Sequence, residues 1–363
     1  MKLLILTQKI DVNDDLLGFF HAWAAEFAKH CAKLTIIALG AGEYDLPENV
    51  NVLSLGKESI KNRQSAIGNR QFIKRIKYLI RFYRYIIVER KNYDAVLVHM
   101  NAEYIILGGL IWRLLSKKIG LWYVHKRVDW KLRLAAKLAD VIFTASPGSF
   151  RLASNKLKII GHGIDLSKFN FAPGIKSGND FKIIYVGRIS AIKNQRLFIE
   201  AADILINQKG IKNVRFDLVG EAVYQEDAAY KEALVQKIAK DRLQDQIKFI
   251  GSVPHKDIAA IYQAADLSVN LCPTGGMDKA ALESMAAGLP VIVLNKTFAF
   301  LGDICENSIL EEASAAELAD KIFVLMNLTP PERTALGRRL KDKVFNDYDL
   351  VKLINKIIDG LSR

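Results

Sequence analysis

The sequence predicts an α/β protein with two successive parallel sheets flanked by helices. Short apolar runs with β-branched residues alternate with longer segments of helical period from one end of the chain to the other. The run of strands stops before residues 165–180, a segment with Pro173, Gly174 and Gly178 and without a sustained period, and then begins again. The length of 363 residues, a little over twice the ~150 of a common domain, agrees with two domains.

Each predicted strand is a short apolar run with helical segments between most of the runs. Those of the first half are 3–7, 34–38, 50–55, 95–99, 120–125, 141–144 and 157–160. Those of the second half are 181–186, 214–219, 247–250, 267–271 and 291–294. The chain closes on an amphipathic helix, 349–361. We therefore place one domain at residues 1–165 and a second at residues 166–346.

Composition excludes several classes of protein. Half of the residues are hydrophobic, a quarter are charged and only eight are proline, so the chain is neither disordered nor collagen-like. The apolar stretch 104–115 is interrupted by Arg113 and is shorter than the ~20 residues of a spanning helix. The apolar run after Lys2 gives way at once to polar residues, and we interpret it as a first strand rather than a signal peptide.

The cysteines favour a reducing compartment. Cys31, Cys272 and Cys305 are odd in number and widely separated, so neither a disulfide framework nor a zinc site is indicated. We expect a cytoplasmic protein. The distribution of its positive charge, described next, further predicts peripheral attachment to the inner face of the membrane.

Positive charge is concentrated in one segment. The chain carries 52 basic and 39 acidic residues, a net charge of +13, which favours anionic partners. Residues 57–91 contain eleven Lys and Arg against the two acids Glu58 and Glu89, and so account for +9 of that total.

A basic stripe follows one side of a predicted helix in this segment and comprises Arg70, Lys74, Lys77, Arg81 and Arg84. We expect the apolar residues of the opposite side to close the core of the first domain: Phe72, Ile73, Ile76, Leu79, Ile80, Tyr83, Ile86 and Ile87. The stripe is then either an ordinary solvated face or an attachment site for an anionic membrane, where each cation contributes roughly 1 kcal/mol. We favour the membrane. Nucleic acid is not expected, because the tyrosines lie toward the apolar side.

Two strand-turn-helix segments of the second half have the chemistry of a phosphate site. In the first, Gly187 ends a strand, and Arg188 and Lys193 flank a helix start. A planar guanidinium and a point charge in one crevice suit a diphosphate, although both residues are equally compatible with a surface loop.

The second segment contains two adjacent glycines and a short helix. Gly275 and Gly276 let a ligand approach the backbone, and Glu283 in the helix that Gly288 ends is placed to accept hydrogen bonds from a ribose diol. The alternative is a plain turn followed by a solvated helix residue.

Four segments of this half, taken together, carry a resemblance to a known family: Val186-Gly187-Arg188 with Lys193, Val219-Gly220-Glu221, Phe249-Ile250-Gly251-Ser252-Val253, and residues 282–292. Their order and spacing resemble the donor-binding half of family 4 retaining glycosyltransferases (glycosyl transferases group 1), which have the GT-B fold. Residues 94–99, 139–146 and 161–165 are similar to the first half of that family, more weakly.

The resemblance implies two Rossmann-like domains whose sheets face across a cleft, with acceptor in the first domain, nucleotide-sugar donor in the second, and the final helix, 347–363, returning to the first. It implies transfer of a sugar with retention, without an obligatory metal or other cofactor. By position, Arg188 and Lys193 match the pair that holds the donor diphosphate, and Glu283 matches the acid that binds the ribose. His125 matches a position that contacts the donor sugar near the reacting centre.

The remaining donor-site residues include departures from the family pattern. Gly275 stands where the family usually has a glutamate, so that carboxylate is missing. Asp278 cannot be assumed to replace it, while the amides of Gly276 and Met277 are placed to contact the sugar or diphosphate. The first strand-helix turn has only Gly18 in place of the usual paired glycines.

These features together predict an enzyme, a hexosyltransferase-like retaining glycosyltransferase that moves a sugar from a nucleotide-sugar to a glycan or lipid-linked acceptor. Two alternatives remain open. One is a sugar-nucleotide epimerase of the same fold, and the other is a catalytically silent binding protein, which the missing carboxylate at Gly275 suggests.

Overall fold

The structure is a computed structural model that describes residues 1–14, 16–57, 69–169, 180–273 and 276–362, with side chains from residue 73 onward in the helix that begins at Asn69. The chain divides into two compact units. The first unit comprises Met1–Gly163, Pro254–Lys256 and Leu350–Arg363, and the second comprises Ile164–Val253 and Asp257–Asp349. Each unit contains one parallel sheet, so the predicted α/β class is confirmed.

The strands of the first unit are β1 Lys2–Ile10, β2 Lys33–Ala41, β3 Val50–Ser54, β4 Ala95–His99, β5 Lys118–Trp122, β6 Val141–Thr144 and β7 Leu157–Ile159. Those of the second unit are β8 Phe181–Val186, β9 Val214–Val219, β10 Ile247–Gly251, β11 Leu267–Asn270 and β12 Val291–Val293. The sheet orders are β3-β2-β1-β4-β5-β6-β7 and β10-β9-β8-β11-β12. In both sheets the order reverses beside the first strand of the unit, at β1/β4 and at β8/β11, which is where doubly wound sheets open a crevice.

The helices, in chain order, are α1 Phe19–His30, α2 Asn69–Val88, α3 Glu103–Leu114, α4 Trp130–Leu138, α5 Gln195–Asp203, α6 Gln225–Lys240, α7 Ile258–Gln263, α8 Lys279–Ala286, α9 Leu301–Ile304, α10 Ala315–Met326, α11 Pro330–Asp347 and α12 Leu350–Ser362. Within the part of the chain that is described, none of them is long and apolar enough to cross a bilayer.

The first sheet is covered on both faces. On one face, α1 and α12 bury an apolar cluster that includes Phe20, Trp23 and Leu353. The other face packs against α2, α3 and α4 through residues such as Phe82 and Trp112. The strands are therefore apolar on both sides, as expected of a parallel sheet between two helical layers.

The terminal helix α12 belongs to the first unit, although the second unit, Ile164–Val253 and Asp257–Asp349, lies before it in the chain. Its residues Leu353, Ile354 and Ile357 are buried against the sheet beside α1. Gly163, at the end of the first run of the chain, packs against it, since a Cβ there would lie 2.7 Å from Leu353 Cδ2.

Two expectations about the first unit are wrong. The strand expected to run to His125 ends at Trp122, so His125 lies in the following loop and is exposed. The apolar side of α2 does not close the core, because Ile86 alone is buried among the members of that set from residue 73 onward, and Phe82 supplies the other core contact. Ile73, Ile76, Ile80 and Ile87 are exposed.

The helix α12 is expected to stabilise the first unit strongly. Because Ile357 is fully buried, Ile357→Ala should lower the free energy of unfolding by about 2–5 kcal/mol, and Ile357→Val by about 0.5–1.5 kcal/mol. All four tryptophans, at positions 23, 112, 122 and 130, lie in the first unit, so denaturation followed by tryptophan fluorescence measures this unit.

The exposed Asn355 of the same helix provides the control, and Asn355→Ala should stay within about 0.5 kcal/mol of the parent chain. Equal unfolding midpoints for Ile357→Ala and Asn355→Ala would show that α12 does not stabilise the first unit.

Candidate functional site

The candidate site of the second unit begins where two neighbouring strands end on glycine. Gly187 follows β8 with φ +154° and Gly220 follows β9 with φ +136°, backbone conformations that favour glycine. A Cβ on Gly220 would lie 2.2 Å from the carbonyl oxygen of Gly187. The backbone segments at Gly187 and Gly220 therefore approach too closely for any side chain at Gly220. This contact fixes the start of the loop that carries Arg188.

Arg188 is half-buried on this loop. Its Nε lies 3.7 Å from Asp227 Oδ2, and its guanidinium carbon lies 5.0 Å from the centre of the Tyr224 ring. The backbone oxygen of Arg188 accepts a hydrogen bond of 2.9 Å from Gln195 Nε2 at the start of α5. Ring and carboxylate orient the guanidinium while leaving part of it accessible to an anion.

Lys193 closes the one-turn 3-10 helix Ala191–Lys193 ahead of α5. The next residue, Asn194, has φ +57°, and this left-handed residue redirects the chain into the helix. The backbone oxygen of Lys193 accepts a hydrogen bond from the buried hydroxyl of Tyr185, which in turn accepts one of 3.1 Å from Leu271 N at the end of β11. One side chain of β8 thus holds two loops.

The ammonium of Lys193 forms an ion pair with Asp278. Burial alone would lower the pKa of Lys193, but the Asp278 carboxylate outweighs burial and raises that pKa above its usual value. Burial likewise would raise the pKa of Asp278, yet Lys193 keeps it below the ordinary range. Both groups are therefore charged at neutral pH.

Asp278 also caps α8, since its side chain accepts a hydrogen bond of 3.3 Å from Ala280 N. The donor-binding role that we assign to this residue from the sequence stays a prediction, and the structure shows that its carboxylate also contacts Lys193 and Ala280 N. Next to it, burial lowers the pKa of Lys279 to about 7, although Glu283 one turn later opposes the shift. The start of α8 thus carries a second cation whose charge is sensitive to pH near neutrality.

Glu283 is buried within α8. The hydroxyl of Tyr262 lies 3.4 Å from its Oε2 and donates a hydrogen bond of 3.0 Å to Ala280 O. Burial raises the pKa of Tyr262 well above its ordinary value, so the phenol remains a donor. Gly288, with φ +72°, ends the helix as predicted.

A hydrogen bond from the segment after β12 fixes the loop that precedes α8. Asn295, buried after β12, donates a hydrogen bond of 3.1 Å to the carbonyl oxygen of Gly276. The side chain of Met277 is buried in the core of the second unit, so only its backbone is available to a ligand. Gly275, the position of the missing carboxylate, lies outside the described residues.

The predicted residues of the first unit lie after two of its strands. Gly18 precedes α1, and its amide donates to Asp14 O at 3.0 Å, while a Cβ there would lie 2.4 Å from the same oxygen. His125 is exposed, and its Nδ1 accepts a hydrogen bond of 3.1 Å from Arg127 N. His99 at the end of β4 is buried among the rings of Phe19, Phe20 and Trp23, which favours a structural role.

Of the basic stripe on α2, Lys74, Lys77 and Arg84 are exposed. Arg81 has a structural partner, because its Nη1 donates a hydrogen bond of 2.9 Å to Leu55 O after β3. The side chain of Arg70 lies outside the described residues.

Four residues that orient the site escape prediction from the sequence: Tyr185, Tyr262, Asp227 and Asn295. Tyrosines in a strand and a helix of the core give no local signal, since an apolar residue would satisfy the same periodicity. In the described parts of the chain, no group of three or more His, Cys, Asp and Glu residues is arranged to hold a metal ion.

The proteins to which this chain is similar include named glycosyltransferases. Residues 180–327 match the family model described as Glycosyl transferases group 1. The chain is 27% identical over 326 residues to the UDP-Gal:alpha-D-GlcNAc-diphosphoundecaprenol alpha-1,3-galactosyltransferase of Escherichia coli, an alignment that covers 80% of each chain. It is 26% identical over 176 residues to the D-inositol 3-phosphate glycosyltransferase of Pseudarthrobacter chlorophenolicus, and there it covers 46% of this chain and 40% of the relative.

Solved structures share the whole fold. Anabaena HepE in complex with UDP and glucose superimposes with a TM-score of 0.73 at 18% identity, covering 100% of this chain and 99% of the other. Sucrose-phosphate synthase from Thermosynechococcus elongatus gives a TM-score of 0.74 at 16% identity, with coverage of 99% and 98%. Residues 180–327 are thus a Glycosyl transferases group 1 domain, and the chain is a glycosyltransferase with the GT-B fold.

Proposed function

We propose that this glycosyltransferase moves a sugar from a nucleotide-sugar donor to a glycan or lipid-linked acceptor, with retention at the anomeric carbon. The observation that carries the proposal is the turn after β8, where the two cations Arg188 and Lys193 follow the close approach of Gly187 and Gly220. The same turn is linked through Tyr185 and Asp278 to the segment that precedes α8.

The chemistry of the two cations fits the leaving group. When the bond between sugar and diphosphate breaks, negative charge grows on the diphosphate oxygens. A guanidinium and an ammonium that are oriented beforehand stabilise this charge more in the transition state than in the bound donor. In this proposal the cations of Arg188 and Lys193 neutralise the diphosphate, and the transfer does not require a bound metal or other cofactor.

Glu283 is proposed to bind the ribose. Glu283 is buried within α8, one turn after Lys279. The hydroxyl of Tyr262 orients one of its carboxylate oxygens. A carboxylate fixed in this way accepts two hydrogen bonds from a vicinal diol with little loss of side-chain entropy. Gly187, Gly276 and the Met277 amide are proposed to line the donor, as Gly18 is in the first unit.

His125 is proposed to contact the donor sugar near the reacting centre. The side chain is exposed in the loop after β5, and Arg127 N fixes one ring nitrogen, so Nε2 is the nitrogen that can meet a sugar hydroxyl. Support for this role comes from the family resemblance of the position.

The names of similar proteins suggest which substrates to test. The Escherichia coli relative is named for a UDP-galactose donor and an acceptor on diphosphoundecaprenol, and HepE was solved with UDP-glucose. We therefore propose a UDP-sugar as the donor and a lipid-linked saccharide as the first class of acceptor.

The proposal is tested by screening the purified chain for a thermal shift with UDP, GDP, ADP and CMP and with their sugar conjugates, since a ligand at 100 times its Kd adds about 2.7 kcal/mol of stability. The donor so found is then incubated with lipid-linked saccharides, with and without EDTA, and the product anomer is read by NMR. Conversion of the donor without any acceptor would indicate an epimerase, and the absence of any shift would indicate a silent binding protein.

Arg188→Ala and Lys193→Ala should each lower kcat about 10²–10³-fold, the scale for removing one preorganised donor of charge stabilisation. Steady-state kinetics at saturating donor measure this. Arg196→Ala on α5 is the control, because Arg196 is exposed and pairs only with Glu200 among the interactions described for its side chain, and its kcat should be unchanged. Full activity in both site variants would remove the two cations from the mechanism.

Asp278→Asn should keep the helix cap but remove the charge that holds the pKa of Lys193 up. The pKa of Lys193 should then fall, and nucleotide binding should be lost at a lower alkaline pH than in the parent chain. Calorimetric titration with UDP across the alkaline range measures this midpoint. In the double variant Asp278→Asn with Lys193→Arg, the arginine stays protonated, so the pH midpoint of nucleotide binding should not be lowered. If Asp278→Asn alone leaves this pH midpoint unchanged, the result contradicts the ion pair.

Glu283→Gln should raise the Kd for a nucleoside diphosphate about tenfold or more while changing kcat at saturating donor less, because the ribose contact is the same in ground and transition states. Gln has nearly the same shape, so the buried site is filled. Tyr262→Phe should give a smaller effect in the same direction. A Kd that does not move in Glu283→Gln would exclude a role for this carboxylate in ribose binding.

A further inference from the structure

The outer side of the helical layer formed by α2, α3 and α4 in the first unit is apolar to an unusual degree. Exposure reaches 86% for Leu114, 66% for Leu110 and Trp130, and 61% for Ile80. We call these residues, together with the other exposed isoleucines of α2, the outer apolar set: Ile73, Ile76, Ile80, Ile87, Leu110, Leu114 and Trp130.

The three helices are neighbours on one side of the sheet. The hydroxyl of Tyr83 on α2 donates a hydrogen bond of 3.3 Å to Leu107 O on α3, and the ring of Phe82 stacks on Tyr104 at 5.6 Å. Lys131 on α4 forms an ion pair of 2.8 Å with Glu103 on α3. The three helices therefore form one layer, and the outer apolar set lies on the outer side of that layer.

Positive charge borders this surface. α2 contains no acidic residue, and its exposed cations include Lys74, Lys77 and Arg84. Within the described ranges none of these three has an ion-pair partner. From residue 73 onward the buried residues of α2 are Phe82 and Ile86, so the described cations and isoleucines share its outer side, next to one another. α4 adds the exposed Arg133 and Lys137.

The orientation of α2 is fixed by contacts at both of its flanks. On the flank toward β3, Arg81 donates to Leu55 O at 2.9 Å and Tyr85 donates to Ser54 O at 3.3 Å. On the opposite flank Tyr83 contacts α3. The helix cannot roll to bury its isoleucines without breaking these bonds, so their exposure belongs to the folded first unit.

An apolar surface with a cationic border and an exposed tryptophan is complementary to an anionic lipid bilayer. Isoleucine and leucine enter the boundary of the acyl chains, tryptophan favours the headgroup level, and lysine and arginine meet the lipid phosphates. A soluble partner protein would need an apolar face ringed by acids, whereas a bilayer with anionic lipids supplies both features over any area.

We propose that the outer apolar set and the cations beside it form a docking face for an anionic membrane, with α2 lying in the plane of the headgroups. This inference concerns the first unit and does not depend on the donor chemistry proposed for the second.

The test is co-sedimentation of the full chain with vesicles of phosphatidylcholine alone and of phosphatidylcholine mixed with phosphatidylglycerol. We expect binding to the mixed vesicles, weakened by salt. Lys77→Gln with Arg84→Gln should lower the partition coefficient about 30-fold, since each cation near such a surface contributes ~1 kcal/mol. Ile80→Asn with Leu114→Asn should also lower binding, and this loss should persist at high salt.

Tryptophan emission gives an independent reading of insertion. Trp23, Trp112 and Trp122 are buried, so a blue shift on adding anionic vesicles reports Trp130. The shift should vanish in Trp130→Phe. As a matched control on the second unit, Val235→Asn with Lys240→Gln on α6 removes one exposed apolar and one exposed basic residue and should leave vesicle binding intact.

Circular dichroism and the Tm of each variant establish that it is folded. Equal binding to neutral and mixed vesicles, no binding to either, or site variants that bind like the parent chain would each overturn the proposal. A dimer in sedimentation that Ile80→Asn with Leu114→Asn abolishes, without any vesicle binding, would assign the face to a second copy of the chain. None of these measurements needs donor or acceptor, so their failure is distinct from failure of the proposed transfer.

Discussion

The contact between Gly187 and Gly220 is the constraint on which the candidate donor site depends. Parallel strands β8 and β9 end side by side, and the missing side chains let their loops touch before the chain turns outward. Every later feature of the turn follows from this start: the carbonyl of Arg188 meets Gln195, the left-handed Asn194 begins α5, and Lys193 faces Asp278. A Cβ at Gly220 would lie 2.2 Å from the carbonyl oxygen of Gly187, so the loop that carries the two cations would have to shift.

Much of this could be predicted from the sequence because the signals are local. Strand runs, the glycine after β8 and the Ala-rich helix α8 depend on neighbours within a few residues, and so the sheets and the positions of Arg188 and Glu283 follow from pattern. Asp278 illustrates the limit. Its carboxylate pairs with Lys193, 85 residues away, and no periodicity in the sequence encodes such a pair.

The helix α2 shows a different limit. Its apolar residues have the spacing of a core face, and burial is the usual consequence of that spacing. Here Phe82 and Ile86 already fill the contact with the sheet, so the remaining isoleucines are left outside. A sequence pattern predicts which residues share a side of a helix. Which side is buried depends on how the side chains fit the sheet, and in α2 the side that carries the ring of Phe82 packs there.

The hydroxyl of Tyr185 has a consequence for how a ligand is received. It bridges the turn at Lys193 and the end of β11, so the loop after β8 and the loop after β11 are joined through one buried atom. Loops joined in this way lose little conformational entropy when an anion arrives, because their freedom was already removed during folding. In the proposed donor site, the affinity for a diphosphate would then depend in part on Tyr185, through the two loops that its hydroxyl joins.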